Sequence, residues 1–289
     1  MLYIIMLAVI SVWMVILLRN SHLSWHSIVT AYALGVFSAD LVEVSFNLLL
    51  GLYKFTTHLS TNPIYENELG IILADTLILP FTLIIFVHYA RKEQPWKTSL
   101  PFAILFILLE IVFLKLGYLK YIKWSLAYSA VAYVAVFRFY AYLTPSITRY
   151  DPPIPYPARL LFFSHTIIMW VGATFALPLF KMYQFRPGVF EDIMADCRFT
   201  DLLSGDVLAV LCAVFIPRIP NRLKPLAFAV IAFIGVSFAL YSYYKGWLFY
   251  HRWNHFFTIL RYFIPVFLIM LYDRWEFSYK TYRSLELKS

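Results

Sequence analysis

Residues 69–89 read LGIILADTLILPFTLIIFVHY, an apolar run holding one carboxylate, Asp75, and neither Lys nor Arg. A helix of that length rises roughly 30 Å, the thickness of a bilayer's hydrocarbon, and satisfies its own backbone hydrogen bonds there. Working outward from this stretch, eight more segments have the same character: about 3–18, 28–50, 100–116, 124–143, 160–180, 201–216, 225–242 and 255–272. The pattern predicts an all-α, polytopic transmembrane helical bundle of about nine spans.

Composition agrees with this. Of 289 residues, 62% are hydrophobic and 14% charged, with a mean hydropathy of +0.72, whereas soluble domains carry about 25% charged residues. This excludes a soluble enzyme, a disordered chain and a nucleic-acid binder, because the net charge of +8 is spread between apolar runs as a topology signal. Cys197 and Cys212 are fifteen positions apart, too far along a helix to bridge. The first apolar segment lacks a basic start and a small-residue cleavage site, so it reads as an anchor, 1–27, and not a signal peptide. The tail and odd-numbered loops carry 13 Lys and Arg against 9 in the even-numbered loops, which predicts an outside N-terminus and a cytoplasmic C-terminus.

The chain also matches itself. Gly117-Tyr-Leu-Lys-Tyr-Ile-Lys-Trp124 parallels Gly246-Trp-Leu-Phe-Tyr-His-Arg-Trp253, Tyr53-x-Phe55 parallels Tyr183-x-Phe185, and intramembrane Asp75 falls beside Asp206. The simplest reading is one extra helix followed by two tandem four-helix repeats, 28–143 and 160–272. Four helices per repeat relate the halves by an axis along the membrane normal, as in parallel-repeat transporters. The alternative is a duplication kept only for packing. The stretch 144–159, with Pro145, Pro152, Pro153, Pro155 and Pro157, reads as a semi-rigid linker, and 273–289 as a cytoplasmic tail.

Candidate functional residues are the polar side chains at membrane depth, where an ionised group costs at least ~2.5–3.5 kcal/mol unless it faces water or a partner. Asp40, Glu43 and Asn47 fall on one helical stripe. Asp75, Glu110, Asp206 and Arg261 share the depth of Glu43, roughly 8–10 Å from the outer ends of their segments. Asp206 and Arg261 suggest a buried structural ion pair. Asp40, Glu43, Asp75 and Glu110 lack an equally buried cation in their half, so they point either to protonated carboxyls or to a bound cation or amine; private hydroxyl or loop-lysine partners are the bland alternative. Lys123, Trp124, Arg252 and Trp253 fall at an outer rim, where an aromatic belt is ordinary and a cap over an acidic cavity is the sharper reading. The outer loops 51–68 and 181–200 are long enough for short interfacial helices, and their acidity could attract cations. His251 and His255 give only a weak metal signal, no cofactor motif is present, and neither a nucleotide-binding loop nor a hydrolase triad is legible.

The repeated Gly117–Trp124 and Gly246–Trp253 segments, with Asp75 and Asp206, resemble a group of uncharacterised multi-pass membrane proteins of endospore-forming Gram-positive bacteria. The resemblance implies a bacterial cytoplasmic membrane and no particular activity. The leading expectation is a transporter-like, non-enzymatic membrane protein whose outward-leaning acidic cavity binds a cation or small amine, with proton coupling. The alternatives are a membrane scaffold that contacts a membrane-protein partner, and an intramembrane lipid-modifying enzyme. If the charge count reads topology correctly, green fluorescent protein fused after Ser289 fluoresces in cells, while alkaline phosphatase is active when inserted near Gly117 and inactive at the C-terminus. The reverse pattern inverts the topology.

Overall fold

The computed structural model describes residues 1–20, 23–91, 94–148, 153–177 and 179–286. Its contacts divide the chain into two compact units, Met1–Pro155 and Tyr156–Ser289. Among the described residues, eight helices are long and apolar enough to cross a membrane: Leu2–Arg19, Trp25–Leu49, Tyr65–Ala90, Pro95–Lys115, Leu126–Thr148, Ile193–Arg218, Lys224–Tyr244 and His255–Ser278. This is an all-α, multi-pass membrane protein. The expected span 160–180 is not among these eight: the helix there, α7, runs Tyr156–Phe175 and stops five residues short. Past Phe175 the backbone leaves the helix to bridge Ala176 to Tyr183, turning through Lys181 at φ 54°.

The first unit runs α1 (Leu2–Arg19), α2 (Trp25–Glu43) with a π-helical turn over Val44–Leu49, β1 (Tyr53–Phe55), α3 (Pro63–Leu73), a second π-helical turn over Ala74–Ile78, α4 (Leu79–Ala90), α5 (Pro95–Lys115), β2 (Leu119–Tyr121) and α6 (Leu126–Thr148). Ser24 caps α2 by accepting from the Ser27 amide at 3.2 Å. In lipid, tight side-chain packing replaces the hydrophobic drive between helices. Here Phe102 of α5 and Phe137 of α6 close around Phe86 of α4, with ring centroids 5.2–5.6 Å apart.

The second unit runs α7, β3 (Tyr183–Phe185), α8 (Ile193–Phe215) with a 3-10 turn over Ile216–Arg218, α9 (Lys224–Tyr244), β4 (Leu248–Tyr250) and α10 (His255–Glu286). The expected tail from 273 begins inside α10, where Asp273 and Glu276 are buried. The expected linker 144–159 is shortened from both sides: α6 carries Pro145 in its last turn and reaches Thr148, and α7 begins at Tyr156; residues 149–152 lie outside the described residues.

Each unit contains a small antiparallel sheet where interfacial helices were expected. β1 pairs with β2 in the register Tyr53↔Tyr121 and Phe55↔Leu119. β3 pairs with β4 in the register Tyr183↔Tyr250 and Phe185↔Leu248. The glycine of the repeated sequence explains how each second strand begins. Gly117 takes φ 74° after α5, and the Tyr118 amide reaches back to the Phe113 carbonyl at 2.8 Å; Gly246 takes φ 72° after α9, and the Trp247 amide reaches Ser242 at 2.8 Å. Both are helix stops that only a left-handed residue makes without strain.

Two acidic residues of the long loops, Glu66 and Asp196, are spent on these connections. Glu66 accepts from the amides of Thr57, His58, Leu59 and Ser60, and Asp196 from those of Gly188, Val189 and Phe190. These two hold backbone, while Glu191 and Asp192 stay exposed. Strand β1 lies directly on α3 at Gly70, where an added methyl would collide with Cβ of Phe55, an atom fixed to the strand backbone. Gly70→Ala is therefore expected to destabilise the first unit by ~1–3 kcal/mol through overpacking, read as a lowered melting temperature in detergent; an unchanged melt would show that the strand is not seated there.

Candidate functional site

In the first unit the sheet collects the carboxylates. Tyr53 and Tyr121 are cross-strand neighbours, and their phenols go to different helices. The Tyr53 hydroxyl donates to Glu43 Oε1 of α2 at 2.6 Å, and the Tyr121 hydroxyl donates to Glu110 Oε1 of α5. Glu110 Oε1 also accepts from Ser129 Oγ of α6 at 2.6 Å, and that oxygen in turn accepts from Trp124 Nε1 at 2.7 Å. Tyr133, one turn further along α6, is within electrostatic reach of both Glu110 and Glu43, and Asp75 acts on Tyr53 and Tyr3. Glu43, Glu110 and Asp75 are all buried.

These phenols stay neutral. Burial, and then the neighbouring Glu43 charge, push Tyr53 far above the usual tyrosine range; burial and the hydrogen bond to Glu110 do the same for Tyr121. A raised pKa keeps the proton on the phenol through and beyond neutral pH, so each tyrosine donates a hydrogen bond without bringing positive charge. Among the described residues Glu110 forms no ion pair, and the Tyr133 hydroxyl is a further hydrogen-bond partner of its carboxylate.

The remaining expected residues separate into distinct roles. Asp40 is buried one turn before Glu43. Asn47, within the π-helical turn, donates to the Tyr53 carbonyl at 3.1 Å and pairs its amide with that of Asn67 in both directions, so it holds β1 against α3. Trp124 supports the site, 6.0 Å from the Tyr53 ring. Lys123 and Arg252 have exposed side chains, and their backbone amides close the sheets at Leu52 and Met182. Trp253 lies 5.3 Å from the Tyr183 ring and donates to Thr258 at 3.0 Å.

In the second unit the expected Asp206–Arg261 pair is not formed. The Arg261 guanidinium goes to Asp201, and Asp206 goes to Nδ1 of His165 at 2.6 Å. Asp201 precedes Asp206 by five residues on α8, about 7.5 Å nearer the sheet, and that brings it level with the arginine. Arg261 is 6% exposed and is enclosed by rings, its guanidinium carbon 4.6 Å from Tyr183, 5.5 Å from Phe185 and 4.8 Å from Tyr262. The Tyr183 hydroxyl donates to the Gly172 carbonyl at 2.9 Å. A side chain on Gly172 would press on this pair, since its Cβ would lie 2.8 Å from Asp201 Oδ2.

At the opposite end of the second unit lies a charge cluster that helical periodicity left unseen. Arg159 pairs with Glu276 at 2.7 Å, Lys224 pairs with Asp273 at 2.8 Å, and Tyr156 donates to Asp273. A cleft of about 210 Å³ adjoins it, lined by Tyr156, Asn221, Lys224, Asp273 and Phe277 among others. An i, i+3 acidic pair beyond a span's apparent end was the only sequence signal for it.

The chain matches no protein-family model, no curated protein and no solved structure.

Removing one partner of a buried pair leaves the other charged and desolvated, at a cost of about 3–5 kcal/mol. Asp201→Asn should lower the melting temperature sharply, and adding Arg261→Met should recover most of the loss. Additive losses in this double-mutant cycle would show that the pair is not coupled.

Proposed function

We propose that the protein is a cation-handling membrane protein whose first unit binds a cation or small amine at Glu43, Glu110 and Asp75, with a carboxyl proton exchanged against it. One observation carries this reading: carboxylates from α2 and α5, far apart in sequence, are led by neighbouring strand residues Tyr53 and Tyr121 to one place within the apolar bundle. Glu110 is in no ion pair among the described residues, and the neutral hydroxyls of Tyr121 and Ser129 that donate to it leave its charge in place. Carboxylates clustered in low dielectric then hold protons or a cation. The π-helical turns directly after Glu43 and around Asp75 fit this role, since such turns recur at functional sites.

The proposal includes a transporter-like internal repeat. Several hydrogen bonds support it, each formed once per unit: Trp124 to Ser129 and Trp253 to Thr258, Tyr121 with Ser129 and Tyr250 with Thr258, Glu66 and Asp196 to their loop amides. Phe55 and Leu119 are 64 positions apart, while their counterparts Phe185 and Leu248 are 63 apart. A π-helical turn accommodates one inserted residue, and the turn at Ala74–Ile78 lies within the longer interval. In the second unit Asp201, Asp273 and Glu276 have cationic partners, which favours a structural role for these charges, in keeping with a scaffold function confined to that half.

The test is proton-coupled cation or amine flux in proteoliposomes, followed with an internal pH dye. Glu110→Gln should insert and purify normally while flux falls at least ~tenfold, the effect of losing about 1.4 kcal/mol of charge-assisted binding. Flux at the wild-type level in this variant would remove the cluster from the mechanism.

A further inference from the structure

The second unit carries its own cation, and the rings around it have counterparts in the first. Arg261 sits among Tyr183, Phe185 and Tyr262. The corresponding residues of the first unit are Tyr53, Phe55 and Tyr133. The two strand rings keep their arrangement: Tyr53 and Phe55 stand 5.6 Å apart at 76°, and Tyr183 and Phe185 stand 6.1 Å apart at 85°. In both units the sheet tryptophan packs edge-on or tilted against the tyrosine, at 6.0 and 5.3 Å.

The residue that enters the rings differs. Arg261 lies eight positions after Trp253 and directly before Tyr262; the residue eight positions after Trp124 and directly before Tyr133 is Ala132. The counter-charge comes from other positions, since the counterpart of Asp201 is Ile71. Where Tyr183 donates to the Gly172 carbonyl beside Asp201, Tyr53 donates to the Glu43 carboxylate. Glu110, 7% exposed, adds a second carboxylate, in hydrogen-bonding reach of the Tyr133 hydroxyl.

We propose that the first unit takes a small guanidinium-bearing solute at Tyr53, Phe55 and Tyr133, the free counterpart of the guanidinium that the second unit supplies from Arg261. This rests on the cation-binding reading above and names its substrate class. A guanidinium is planar, stacks on aromatic faces and is weakly hydrated, so it leaves water for such a cage more readily than a compact ammonium does. Two carboxylates and three aromatic rings offer an alkali or alkaline-earth ion fewer oxygens than the six to eight such an ion takes. The carboxylates of Glu43 and Glu110 supply the in-plane acceptors that Asp201 supplies in the second unit.

The experiment is isothermal titration of the full-length protein in lipid nanodiscs with methylguanidinium, methylammonium and sodium chlorides. The expected result is a single methylguanidinium site, roughly tenfold or more tighter than that for methylammonium, with no saturable sodium binding. Ala132→Arg installs the tethered guanidinium and should abolish methylguanidinium binding, since a tethered group competes at an effective concentration of millimolar or above. Phe55→Leu, which removes one ring and no charge, should weaken methylguanidinium about threefold to tenfold and leave methylammonium less affected; this variant decides the matter if Ala132→Arg fails to accumulate. Wild-type affinity in Ala132→Arg or Phe55→Leu overturns the proposed position. Sodium or methylammonium binding that depends on Glu110, without methylguanidinium binding, overturns the substrate class and leaves the cation-binding reading standing. If none of the three cations binds, both fall.

Discussion

Ionisable side chains buried among apolar helices must each be answered by a donor, a counter-ion or a proton, and most of the structure follows from how each unit meets that demand. In the first unit the answer includes neutral hydroxyls: Tyr53 to Glu43, Tyr121 and Ser129 to Glu110. In the second it is a guanidinium inside a ring cage against Asp201. Hydrogen bonds from neutral donors stabilise a carboxylate and leave its charge in place, whereas an arginine cancels it.

The short strands make this possible. A three-residue antiparallel pair adds little stability by itself, but each is anchored on both sides. Glycine stops at 117 and 246 aim the second strand, and Glu66 and Asp196 gather the loop amides after the first. Alternation along the strand then does the sorting. Tyr53 and Phe55 lie two apart on one face, which brings a phenol and a ring to the same carboxylate-facing side, while Lys54 between them is exposed. The π-helical turns after Glu43 and around Asp75 add an irregularity within otherwise regular helices where the carboxylates gather.

Several sequence expectations met a different partner in three dimensions. Asp206 and Arg261 agree in estimated depth but not in orientation, and the arginine's partner is Asp201, which the sequence places at the margin of its span. Asn47 shares a helical stripe with Asp40 and Glu43 on ideal geometry, yet the π-helical turn beginning at Val44 takes it out of that register, and its amide is used by Asn67. Glu66 and Asp196, exposed by the look of their loops, cap backbone amides instead.

Sequence by itself determined the solvent. Long apolar runs, scarce charge and basic residues gathered mostly between them admit only a helical membrane chain, because hydrocarbon forbids unsatisfied backbone and so ties composition directly to architecture. It also marked the residues worth watching, since an acidic side chain in an apolar run is conspicuous at any register. What tertiary structure alone decided was who meets whom. Glu43 and Glu110 share a neighbourhood because Tyr53 and Tyr121, sixty-eight positions apart, pair across a sheet of three residues per strand. No helical periodicity encodes such a contact: it depends on where two loops close in space, and that is set by the packing of the helices that carry them.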